Sequence, residues 1–454
     1  MIGDNVREYL DSISGVRMLE ALYGPDAVAQ EQHRYRSLVD GMAPQAGFPV
    51  QVPPGLRVFS APGRTELGGN HTDHNRGRVL AAAIQMDAIA IAAPRSDRQV
   101  FFRSAGFPDV AVNLAAPDGK LDLSPKPEER GTSEALVRGI ADEFAQQGIE
   151  PGGFSANAAS TVLPGSGLSS SAAVEVLIAK IFDSLYGGGR LSAVELAQIS
   201  QKAENRHFGK PCGLMDQAAS ASGGAVAIDF ADPAAPILKK IEFDPLVCGF
   251  ALCVVNTRGN HADLTPDYAA IPQEMNAVAR YFGKNVLREL DCAQVLAHIG
   301  EIRKSNRLTI SDRALLRAIH FFNEDQRADA MAALLQTIES TMDMPEKQKL
   351  MGQFLDLVNE SGASSWELLQ NIFSPRDPLR QEIALALVIT KEFFREQGYY
   401  GACRVHGGGF AGTIQAYIPV TGLGCYRERM DALFGPGAVT VLRIRSLGAI
   451  EIGI

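Results

Sequence analysis

The sequence is poor in the features that mark several large classes of protein. Its six cysteines, Cys212, Cys248, Cys253, Cys292, Cys403 and Cys425, form no C-x-x-C pair. That spacing argues against a zinc site or a disulfide framework and predicts reduced, partly buried thiols. Basic runs are missing too: 43 Lys and Arg face 52 Asp and Glu, for a formal net charge of -9. Nucleic acid and anionic membranes are therefore not expected partners, although a local basic pocket for a nucleotide is compatible with this balance. The most apolar stretch, residues 79–94, is broken by Gln85 and Asp87, which excludes it as a membrane span. At the N-terminus, MIGDNVREYL carries charges where a secretory leader needs an apolar core, so the expected location is the cytoplasm.

What is present is an ordinary globular composition, 46% hydrophobic and 21% charged, in a chain of 454 residues. That length is too great for one compact core, and two domains with a cleft between them are expected. Residues 1 to 50 read as helical up to Pro44 and the Pro53-Pro54 pair. From Leu56 to Ser60 the pattern becomes a strand that ends in a turn at Pro62-Gly63, and residues 79–93 read as a second strand. A helix is predicted after Gly167, from the apolar spacing of Val174, Leu177, Ile178, Ile181, Phe182 and Leu185. Ser192 and Glu195 form a capping box for another helix, with Glu204 in its last turns. The ADPAAP stretch at residues 231–236 is the expected lobe boundary. Long helices over residues 270–398 and a final set of strands follow it.

Four segments carry chemistry. Pro164, Gly165, Ser166, Gly167, Leu168, Ser169, Ser170, Ser171 and Ala172 combine flexible glycines, hydroxyls and a helix start. Glycines let the backbone approach an anion, and the unpaired N–H groups and dipole at a helix start favour phosphate. The Walker spacing and its lysine are absent, and a Ser-rich helix cap is the competing reading. The second segment, residues 61–75, is dense in short donors and acceptors suited to a polyhydroxylated ligand: Arg64, Asn70, His71, Asp73 and His74. His71 and His74 flank Asp73, but no further Cys or His completes a four-ligand metal set. In the third, Asp216 stands between apolar residues at a helix start, a usual place for an N-cap. Glu204 lies twelve residues before it. An arginine such as Arg64 beside Asp216 would keep it ionised and stabilise a phosphoryl group in transfer. The fourth, Gly407, Gly409 and Gly412, formally fits G-x-G-x-x-G, yet the residues after it read as a strand, so a dinucleotide fold is excluded and a close backbone approach at the cleft is expected.

Taken in order, GRTELGGNHTDHN, LPGSGLSSSAA, AENRHFGKPCGLMDQ and HGGGFAG resemble the galactokinase branch of the GHMP kinases, with Arg317, His320, Glu324 and Arg327 as a weaker match. The resemblance implies an α/β (α+β) fold of two lobes. Residues 1–235 would form a ribosomal-S5-like mixed lobe and residues 236–454 a ferredoxin-like α+β lobe. It implies ATP as co-substrate, Mg2+, a monomer or weak homodimer, and phosphorylation of the anomeric hydroxyl of a galactose-like sugar. Asp216 would act on that hydroxyl as base or electrostatic anchor, and Arg64 would orient Asp216 and stabilise the transition state. Ser171, with Ser170, and Glu204 would hold the metal, while Asn70, His71, Asp73, Gly213 and Tyr268 match sugar-contacting positions. Positioning and charge stabilisation are what phosphoryl transfer demands.

The chain also departs from the family pattern. Where galactokinases read G-E-H-T-D-Y it reads Gly69-Asn70-His71-Thr72-Asp73-His74, and Gly362 stands where they commonly carry histidine. An amide at residue 70 removes a charge that would repel an acidic substrate, which makes galacturonate or another modified galactose an alternative. Two further alternatives are a sugar-sensing regulator on the same fold and a kinase for mevalonate or homoserine. Intact Arg64, Asp216 and Glu204 weigh against the first, and the His71-x-Asp73 loop against the second.

Overall fold

A computed structural model describes residues 3–42, 55–162, 167–210, 212–259, 264–305 and 310–453. Pro164, Gly165 and Ser166, together with the breaks expected at Pro44 and Pro53-Pro54, lie outside the described residues.

The first sheet contains β1 (Arg57–Gly68), β2 (Arg78–Pro94), β3 (Gln99–Ser104), β4 (Val110–Asn113), β5 (Phe154–Ser160), β6 (Ala225–Asp229) and β7 (Ile237–Ile241). The second contains β8 (Phe250–Asn256), β9 (Ala402–Val405), β10 (Thr413–Pro419) and β11 (Val439–Leu442), in the order β11-β8-β10-β9. The chain then returns, and β12 (Ile450–Ile452) pairs with the outer edge of β1.

Both faces of the first sheet are covered, as the two-residue period of β2 reveals. Ile89, Ile91 and Ala93 pack with Leu10, Leu19 and Tyr35 of the N-terminal helices. Ala88, Ala90 and Ala92 face the opposite core, with Val176, Leu177 and Ile181 of the helix Ser170–Phe182. That doubly buried setting is why the strand reads as one apolar run instead of an alternation. Met331 and Leu335 of the long helix Asp312–Ser340 join the same core, so the second half of the chain is anchored on the first sheet.

Two expectations need correction. β1 does not stop at Pro62-Gly63 but runs on to Gly68, with its register shifting between Pro62 and Arg64. A bulge tolerates the proline and re-aims the next side chain, here Arg64. The connecting loop therefore begins only at Gly69. Residues 231–236 are likewise not a lobe boundary, because they turn the antiparallel hairpin of β6 and β7. The chain crosses to the second sheet between Ile241 and Phe250, and β12 crosses back.

Other readings hold. The capping box at Ser192 and Glu195 is formed, and the helix Ala193–Ala203 ends against Glu204. A strand, β10, follows the glycines at 407–412.

Candidate active site

The bulge in β1 delivers Arg64 to the start of the helix Ser170–Phe182. Its backbone N–H donates to Leu168 O at 3.0 Å, and its Nη1 donates to Gly167 O. The rest of the guanidinium forms a two-point contact with Asp216, Nε to Oδ1 at 2.7 Å and Nη2 to Oδ2 at 2.9 Å. Such forked pairs fix geometry as well as charge. Ser169 adds its hydroxyl to Asp216 Oδ2 from a left-handed backbone (φ 57°) at the helix N-cap. Asp216 itself lies in the first turn of the helix Met215–Ser222, where Leu214 occupies the cap position. Burial would raise the Asp216 carboxyl, but the Arg64 charge and the hydrogen bonds from Arg64 and Ser169 outweigh it and hold the group below its ordinary value. About a third of the side chain (32%) remains open to the cleft.

Beside this pair is a chain of polar groups, with Glu204, Gln217 and Glu175 buried and Lys210 exposed at its outer end. Lys210 Nζ donates to Glu204 Oε1 at 2.9 Å, and Gln217 Nε2 donates at 3.0 Å to both Glu204 Oε2 and Glu175 Oε2. Burial, then the neighbouring Glu204 charge, pushes the Glu175 carboxyl up to about 8. The shift favours its protonated form, and Lys210 carries the charge opposite Glu204.

The loop after β1 is held from the second half of the chain. Glu324 accepts from Gly69 N at 3.1 Å and Asn70 N at 3.4 Å, while His320 Nε2 donates to Asn70 O at 3.0 Å. Burial alone would raise the Glu324 carboxyl, yet the surrounding His320, Arg327 and Arg404 bring it to about 2. Asp73 accepts from His74 N at 2.9 Å, and its Oδ2 would stand 2.1 Å from a Cβ added to Gly213, so a larger residue there would have to push the Asp73 carboxylate aside. His71 Nε2 donates to Gly408 O at 3.0 Å, and Tyr268 Oη donates to Gly409 O at 3.1 Å. Burial pulls the His71 ring down to about 4, leaving it neutral. Asn70 is buried, with Nδ2 on Glu66 Oε1 at 3.0 Å and on Gly407 O at 2.8 Å. Its amide is therefore spent on the protein, and the carboxylate absent at residue 70 stands beside it at residue 66.

Two cavities open on these groups. One of about 280 Å³ has polar walls, including Asn70, His71, Asp73, Glu204, Gly213, Tyr268, Gly407 and Gly408. The other, about 520 Å³, has apolar walls built from Phe102, Val110, Leu136, Val174 and Ile178, with Gly167, Ser169 and Ser170 at its inner end. Arg64, Ser171, Lys210 and Asp216 line both. Leu168 and Ala172 are buried behind them. Of the site residues singled out from the sequence, Arg64, Asn70, His71, Asp73, Gly167, Ser169, Ser170, Ser171, Glu204, Gly213, Asp216 and Tyr268 thus line one cleft. Glu66, Lys210 and Gln217 were within quoted segments but had no role assigned, and Glu175 and Asn371 gave no signal, because their partners are distant in the chain.

A helix start beside a forked Arg–Asp pair, with a polar and an apolar cavity meeting on it, defines a two-lobed small-molecule phosphotransferase. Comparison with known proteins agrees. Residues 135–224 match the GHMP kinases N terminal domain, and residues 46–94 match the galactokinase galactose-binding signature. A galactokinase of Streptomyces coelicolor is 30% identical over 390 residues, which cover 85% of this chain and 91% of that protein. One from Actinobacillus pleuropneumoniae is 30% identical over 364 residues, covering 79% and 84% respectively. Lactococcus lactis galactokinase complexed with galactose has the same fold, with a TM-score of 0.70 and 22% identity over 88% of this chain and 96% of that one. The chain belongs to the galactokinase family of the GHMP kinases, which use ATP to phosphorylate an alcohol group.

Proposed function

We propose that this protein transfers the γ-phosphoryl group of ATP to the anomeric hydroxyl of galactose. The observation that carries this reading is the sharing of Arg64, Ser171, Lys210 and Asp216 by two cavities, one lined by many polar side chains and the other mainly apolar. A base needs the apolar one, a polyol needs the polar one, and phosphates need the helix start between them. The L. lactis enzyme, whose structure contains galactose, is a relative in fold, and both 30% identical relatives are galactokinases.

In this reading Asp216 orients the sugar hydroxyl and accepts its proton late. A carboxylate held below its ordinary range is a weak base, and a loose phosphoryl transition state asks chiefly for alignment and charge balance. Arg64 keeps Asp216 ionised and faces the transferring group. Asp73 and the backbone at Gly213 take sugar hydroxyls, while His71, Tyr268 and Asn70 shape the wall behind them. Gly165, Ser166, Gly167, Leu168, Ser169, Ser170, Ser171 and Ala172 would surround the ATP phosphates.

Ser171 and Glu204 line the sugar cavity beside Asp216, and Glu204 already has a cation, Lys210, at 2.9 Å. One carboxylate and one hydroxyl make the small protein share that Mg2+ accepts when phosphate oxygens complete its shell. When bound there, the ion would neutralise phosphate charge. Lys210 would then be free to turn toward the phosphates.

The galacturonate alternative loses its basis here. Arg64 and Lys210, the cations on the cavity wall, are already paired with Asp216 and Glu204, so neither is free to hold a sugar carboxylate. ADP release measured with galactose, galacturonate, galactosamine, N-acetylgalactosamine and arabinose tests the reading. Galactose should be preferred, and preference for the uronate would overturn it.

A further inference from the structure

The glycine loop that walls the sugar cavity is clamped carbonyl by carbonyl. Gly407 O accepts from Asn70 Nδ2 at 2.8 Å, Gly408 O from His71 Nε2 at 3.0 Å and Asn371 Nδ2 at 3.1 Å, and Gly409 O from Tyr268 Oη at 3.1 Å. Asn371 does more than the others, since its Nδ2 also donates to Asn70 Oδ1 at 2.9 Å and its own carbonyl accepts from Phe410 N at 2.5 Å. It is fully buried, directly after Gln370, whose backbone is left-handed (φ 59°).

The amide orientations follow from chemistry alone. Asn70 faces Glu66 and Gly407 O, which are acceptors, so Nδ2 must point that way and Oδ1 must point at Asn371. Asn371 then meets two acceptors, Asn70 Oδ1 and Gly408 O, and must present Nδ2 to both. Among the described residues its Oδ1 is left buried without a hydrogen-bond partner. An orphaned buried acceptor is a cost that ordinary packing would remove with an apolar residue. The backbones also approach too closely for any side chain: a Cβ on Gly409 would lie 2.2 Å from Asn371 O.

We propose that Asn371, which does not itself line the cavity, is a positioning residue for sugar recognition. By holding Asn70 and Gly408 at once, it sets the Gly407–Gly408 wall before substrate arrives. The inference rests on the sugar-kinase reading above.

Asn371→Ala should raise the galactose KM on the order of tenfold, leaving kcat and the ATP KM unchanged. Asn371→Asp, which keeps the shape and loses the donor, should do the same. Because Asn371 acts through Asn70, the Asn70→Ala, Asn371→Ala double variant should have a galactose KM no higher than that of Asn70→Ala alone. A lower Tm with an unchanged galactose KM in both single variants, or additive KM effects in the double, would overturn the proposal. Wild-type hydrogen exchange tests it without a variant. The Phe410 amide should be protected without galactose, and protection that appears only on adding galactose would contradict a preset wall. Wild-type turnover of galactose serves as control: if it is absent, the kinase reading falls, whereas normal turnover with unaffected variants removes Asn371 alone.

Discussion

Asp87, behind the first sheet, and Asp216, in the cleft, are assembled from the same parts. Asp87 has Arg34 at 2.7 Å, Arg445 at 3.1 Å and the hydroxyls of Tyr23 and Ser60 on its carboxylate. Asp216 has Arg64 at 2.7 Å and the Ser169 hydroxyl. Burial would raise both carboxyls, and in each case arginine charge and hydroxyl donors overcome it and lower them. The difference is access: the Asp87 and Arg445 side chains are both 0% exposed, whereas Asp216 is 32% exposed and lines two cavities. A perturbed acid with an arginine partner therefore does not by itself mark a site. The first cluster ties the N-terminal helices and the C-terminal segment to β2, and the second faces the cleft.

Substitutions should separate the two regions cleanly. Asp216→Ala is expected to cut turnover by roughly 10⁴-fold, and Arg64→Ala by roughly 10³-fold, with urea unfolding midpoints lowered less than in Asp87→Ala because the Asp216 end of the pair is open to the cleft. Asp87→Ala should behave in the opposite way. It removes the carboxylate that pairs the fully buried Arg445 and one of the two that pair Arg34, whose other partner is Glu31 at 2.9 Å, costing about 3–5 kcal/mol in urea denaturation, while the folded fraction keeps its kcat. Loss of kcat without loss of stability in that variant would break the comparison. Gly213→Ala, which forces a Cβ to within 2.1 Å of Asp73 Oδ2, should raise the galactose KM by roughly 10 to 100-fold in steady-state assays and leave the ATP KM alone.

The smallest effect concerns a third buried acid, one with no arginine beside it. Glu175 is raised from its ordinary 4.5 to about 8, so the folded protein binds a proton that the unfolded chain releases across that window. Its contribution to stability is full below the unfolded value and is lost as pH rises toward the folded one. Glu175→Gln should therefore flatten the decline of Tm between about pH 5 and about pH 8. An unchanged slope would mean that Glu175 is ionised in the folded protein.

Legibility in the sequence followed distance along the chain. Helix starts, the capping box at Ser192 and the anion-binding pattern at Gly167 to Ala172 are local and could be read directly. Arg64 and Asp216, 152 residues apart, could be suggested as a pair from their chemistry, and the family resemblance added the role of each. Arg445 and Asp87 are 358 residues apart, and Asn371 and Asn70 are 301 apart. No periodicity or motif announces such partners. The hairpin turn at residues 231–236 was read as a boundary because proline and alanine punctuate turns and linkers alike, and only the pairing of β6 with β7 tells them apart. Asn70 looked like a sugar ligand because its amide suits one. The structure instead gives both ends of that amide to Glu66, Gly407 and Asn371.

Phosphorus NMR of the product formed from ATP and galactose tests the central claim most directly. The account predicts a single sugar phosphate whose phosphorus couples to the anomeric proton, with one ADP released per sugar consumed. A phosphate on any other hydroxyl, or ADP release that does not depend on galactose, would contradict it.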